Sequence, residues 1–111
     1  MSELQMEALD NLAGLLAQLI RSTKRLETLG KSDSLYEHGS GSDSLITRWR
    51  QEVTKSYGLD TALREKWGTM NFVPEGARKD LTSGLEAAKS ARNHPPAIVA
   101  QISTQSGSTQ E

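Results

Sequence analysis

Residues 4 to 29 read LQMEALDNLAGLLAQLIRSTKRLETL, and their spacing decides the fold. Leu9, Leu12, Leu16, Leu19 and Leu26 step by three and four residues, with Thr23 where the series would place another apolar side chain. Such a series falls along one side of a helix, as the a and d positions of a coiled coil do. Leu15, Ile20 and Leu29, with Ala8 and Ala13, widen the stripe beyond a two-stranded zipper. Each buried Leu or Ile is stabilised by about 1.5–3 kcal/mol, so the stripe requires a covering surface.

The ends of this helix are marked too. Ser2 and Gln5 fit a capping box, and Met1 and Met6 stand where a hydrophobic staple would pack. Glu3, Glu7 and Asp10 lie toward the positive end of the helix dipole and Arg21, Lys24 and Arg25 toward the negative end. Gly30 suits a C′ residue in the left-handed conformation. Gly14, inside the helix, costs about 1 kcal/mol relative to Ala.

Outward from this helix, His38-Gly39-Ser40-Gly41-Ser42 reads as part of a flexible connector over residues 38–43. Ser42, Asp43 or Ser44 can then cap a second helix carrying Leu45, Ile46, Trp49, Val53 and Tyr57 at helical spacing. Gly58 is expected to interrupt it, with Asp60 capping a continuation along Leu59, Leu63 and Trp67, so that residues 44–68 form either one kinked helix or two short ones meeting near Gly58. Residues 68–73 lack a helical period but hold three apolar side chains, which suggests an ordered loop packed on the bundle. Pro74 suits the first position of a third helix, whose face of Ala77, Leu81, Gly84, Leu85, Ala88 and Ala91 is narrow and small. Asn93-His94-Pro95-Pro96 ends it. The expectation is therefore an all-α fold. It has a long first helix, a broken second helix and a short third one in a single domain over residues 1–93, with a largely disordered tail over residues 94–111.

Composition removes several function classes. Thirteen basic residues against fourteen acidic ones give a net charge of −1, so no global field draws the chain to nucleic acid or anionic membrane. Without cysteine there are no disulfides, thiolate nucleophiles or Cys-based zinc sites. His38 and His94 have no neighbours at metal-ligand spacing, and the serines show neither a nucleophile elbow nor a phosphate-binding loop. No enzymatic activity, metal or cofactor is expected. No apolar run approaches the length of a membrane span, and Met-Ser-Glu does not open a signal peptide, so a cytoplasmic or nuclear protein is expected.

Two function classes remain. The first is a non-enzymatic adaptor or assembly subunit, associating with itself or with partner helices through Leu9, Leu12, Leu16, Leu19 and Leu26. The seam could instead be closed within one chain by the other two helices. The weakness of the third helix as a cover favours a seam at least partly paired with another chain. The second class is a small nucleic-acid-binding regulator using Arg48, Arg50, Lys55, Arg64 and Lys66, basic residues interleaved with Trp49. It would place a helix-turn-helix around Gly58, although Trp49 falls in phase with Ile46 and Val53 as a core residue would. Phosphorylation of the Ser/Thr-rich connector and tail is a third, less specific route to regulation.

Overall fold

The computed structural model describes residues 2–32 and 44–100. Three long helices, α1 (Glu3–Gly30), α2 (Leu45–Gly68) and α3 (Glu75–Arg92), make an all-α bundle, and residues 97–100 begin a further helical turn. The connector of residues 38–43, His38 included, and the tail beyond residue 100 lie outside the described residues.

The capping box at the start of α1 forms as its sequence requires: Ser2 Oγ accepts from Gln5 N–H, and Gln5 Oε1 accepts from Ser2 N–H at 2.7 Å. Helix α2 is capped by Ser44, whose hydroxyl accepts from Thr47 N–H. Pro74 is the N-cap of α3 rather than its first helical residue.

Both α2 and α3 fold back onto α1, so the leucine seam is closed within the chain. Leu12 and Leu19 join Leu63, Val73, Leu81, Leu85 and Ala88 in one core cluster. Leu26 and Leu29 join Leu45, Trp49, Ala91 and Val99 in a second. Helix α1 is the shared element, for α2 and α3 each contact it more extensively than they contact each other. The narrow α3 covers its part of the stripe because its small side chains permit close approach. A β-carbon on Gly84 would stand 2.5 Å from Leu16 Cδ1.

Several expectations need correction. Helix α2 is continuous through Gly58, which faces open space, so there is no broken second helix and no helix-turn-helix. The roughly 1 kcal/mol that glycine costs is outweighed by packing on either side of it, at Trp49 and Leu63. Asp60 caps nothing and is instead buried in a polar cluster. Gly30 is the last residue of α1, with Lys31 as the cap in right-handed conformation. The loop before α3 buries Val73 and half-buries Met70, but leaves Phe72 exposed. The packed chain also continues past residue 93: Pro96 and Val99 are buried, the latter within the second core cluster.

Candidate interaction surface

The five seam leucines occupy the inner side of α1. Leu12, Leu19 and Leu26 are 0–2% exposed, while Leu9 and Leu16 are half-buried at the α3 side. Thr23, the polar interruption of the series, is buried and satisfies itself by donating from Oγ1 to the Leu19 carbonyl at 2.8 Å. A partner helix could reach Leu12, Leu19 or Leu26 only after α2 and α3 had moved away.

The basic residues of α2 do not gather. Arg48, Lys55 and Lys66 are seven and eleven residues apart and share one side of the helix. Arg50 and Arg64, fourteen residues apart, share another side, turned from the first by roughly 140–180°. Arg64 is further tied down, donating from Nε to Asp60 Oδ1 at 2.7 Å. Arg48 lies instead beside Lys24, Arg25, Gln51 and Glu52 along a groove between α1 and α2.

The most specific chemistry in the molecule is one that motif reading passes over. Arg92, at the end of α3, donates from Nη1 to the fully buried Ser56 hydroxyl at 2.8 Å and from Nη2 to Asp60 Oδ2 at 3.3 Å. Its guanidinium also lies 4.3 Å from the centre of the Tyr57 ring. On the opposite flank of α2, the buried Ser22 hydroxyl of α1 donates to Glu52 Oε2 at 2.5 Å. These pairs fasten helices to one another: Arg92 and Asp60 match charge with charge, and Glu52 accepts from a neutral hydroxyl. Ser56, Asp60 and Leu63 follow one another at helical spacing, so the buried polar positions were in phase with the apolar ones.

His94 Nδ1 lies 2.6 Å from the Ser90 carbonyl oxygen and so carries the hydrogen of that bond. Among the described residues no three His, Asp or Glu side chains gather in a way that could hold a metal ion. Among the same residues no helix is long and apolar enough to cross a membrane.

What remains uncovered is the outer side of α1. Glu3, Met6, Glu7, Asp10, Ala13, Gly14, Ala17, Ile20, Arg21, Lys24 and Thr28 are all exposed along its length. Leu4 at 78%, Met6 at 56% and Ile20 at 40% leave apolar surface in water on this one helix. No family model, curated protein or solved structure matches this chain.

Proposed function

We propose that the protein is a non-enzymatic helical assembly module that associates, with itself or with partner helices, through the outer side of α1. What supports this reading is a single contrast on one helix. Leu12, Leu19 and Leu26 are fully used by the chain's own core, yet the opposite side is uncovered from end to end, with exposed Met6 and Ile20 along its edge. The association surface proposed from the sequence alone thus moves from one side of α1 to the other. The chemistry of the exposed side, short apolar residues between charged ones, suits a helix packing alongside it. A cytoplasmic or nuclear setting is part of the same proposal.

Nucleic-acid binding has less support, because Arg48, Arg50, Lys55, Arg64 and Lys66 point to two sides of α2 and no single phosphate track runs through them.

The test is the solution mass at low and high concentration for the full chain and for Met6→Glu combined with Ile20→Glu. Both positions are exposed, so the fold tolerates the change. Association of the wild type above the 12.1 kDa of one chain, lost in the double variant with helicity and melting retained, is the expected result. A double variant that associates as the wild type does removes this side of α1 as the working surface.

A further inference from the structure

Along the outer side of α1 a second heptad series runs behind the leucine seam: Glu3, Glu7, Asp10, Gly14, Ala17, Arg21, Lys24 and Thr28, spaced by four and three residues. Its order is acidic, then small, then basic. Turned end for end, the series is its own complement. Glu7 comes opposite Lys24, Asp10 opposite Arg21, and Gly14 opposite Ala17, each of the charge pairs occurring twice.

We infer that two copies of the chain pair through this series as an antiparallel α1–α1 dimer, with the two-fold axis between Gly14 and Ala17. The inference rests on the association reading above and fixes its partner and register. A two-fold axis demands a surface complementary to itself, and a series running from acid to base meets that demand only in the antiparallel sense. A parallel pair would set acid on acid and base on base.

Three observations besides the charge order carry it. First, Glu7, Asp10, Arg21 and Lys24 are exposed and make no ion pair among the described residues. The helix dipole does not account for them either, because its influence fades within the first and last turns and Asp10 and Arg21 lie well inside α1. Second, Gly14 has open space where its β-carbon would be, so nothing in the monomer calls for a glycine in mid-helix. Opposite Ala17 of a second copy, it would let two backbones approach closely. Third, Met6, Ala13 and Ile20, one in each heptad, form an exposed apolar edge directly beside the series. That edge would be covered in the same pairing.

The charges make the pairing testable by reversal. Glu7→Lys with Asp10→Lys gives a series basic at both ends, and Arg21→Glu with Lys24→Glu gives one acidic at both ends. Solution masses are measured at low salt for the wild type, for each double variant and for their equimolar mixture, with circular dichroism to follow the fold. The wild type is expected to dimerise, with an affinity that falls as salt is added. Each variant alone should lose about thirtyfold or more in affinity, four exposed ion pairs having been replaced by repulsions. The mixture should recover the dimer, since a basic series then faces an acidic one. The neutral pair Glu7→Gln and Asp10→Asn should weaken the dimer without reversing its preference.

If the wild type associates and both reversed variants associate equally well, the antiparallel register is overturned while association through α1 stands. If the mixture stays monomeric although both variants are folded, the register is likewise overturned. A wild type that is monomeric at every concentration and at low salt overturns both the register and self-association.

Discussion

Gly30, the last residue of α1, lies so close to the backbone of His94 that a β-carbon on it would stand 2.7 Å from the His94 carbonyl oxygen. Backbone cannot rotate out of the way as a side-chain end can. Gly30→Ala is therefore expected to lower stability by about 1–3 kcal/mol, despite the better helix propensity of alanine. Urea unfolding of the two proteins, followed by circular dichroism, measures the difference.

Gly58→Ala should act in the opposite direction. The position is exposed, helical and free of neighbours outside its own helix, so only the helix propensity changes. A gain of about 0.5–1 kcal/mol is expected from the same measurement. A loss would mean that α2 needs the break that its sequence suggests.

Arg92 is the main tie between α3 and α2. Its side chain is 7% exposed and that of Asp60 is 11% exposed, and Ser56 has no access to water. Arg92→Ala should cost about 3 kcal/mol, because it leaves a buried hydroxyl and part of a buried carboxylate unpaired. Asp60→Ala should cost less when introduced after Arg92→Ala than in the wild type. That non-additivity, read from a double-mutant cycle, separates the pair from simple loss of packing.

Burial along α1 predicts contrasting alanine substitutions. Leu19→Ala, at a position with no exposure, should cost about 2–5 kcal/mol by leaving a cavity among Leu63, Leu81 and Leu85. Leu4→Ala, in the first turn, should stay within about 0.5 kcal/mol of the wild type. Equal effects at the two sites would contradict the closed seam.

Val99→Ala tests whether the chain beyond Arg92 belongs to the fold. Val99 packs with Leu26, Trp49 and Ala91, so a loss of about 1–2 kcal/mol is expected in thermal or urea unfolding. No change would restore the boundary near residue 93 that the two prolines suggest.

These positions also show what the sequence makes legible. The leucine series, the Ser2–Gln5 box and the alanine face of α3 depend on neighbours within one helix, and all three appear as their spacing predicts. Ser22, Ser56 and Asp60 depend on groups about thirty residues away, so nothing near them in sequence explains why polar residues sit in phase with leucines. The continuity of α2 is not legible for a related reason. The cost of Gly58 is visible locally, whereas the packing that outweighs it comes from α1 and α3. The covering power of α3 is hidden in its composition because small residues bury little area themselves but decide how near two helices come, as at Gly84 and Leu16. The outer series of α1 was present in the same sequence. It reads as ordinary solvated charge until the inner side is known to be full.

Because Leu12, Leu19 and Leu26 are sealed inside while Glu7, Asp10, Arg21 and Lys24 stand outside, α1 answers to two separate demands on one helix. Substitutions on the inner side are screened by whether the chain folds at all. Those on the outer side can alter who meets whom and leave the fold as it was. A lineage carrying this helix could therefore exchange its associations by a few charge changes, with its bundle passing through unaltered at every step.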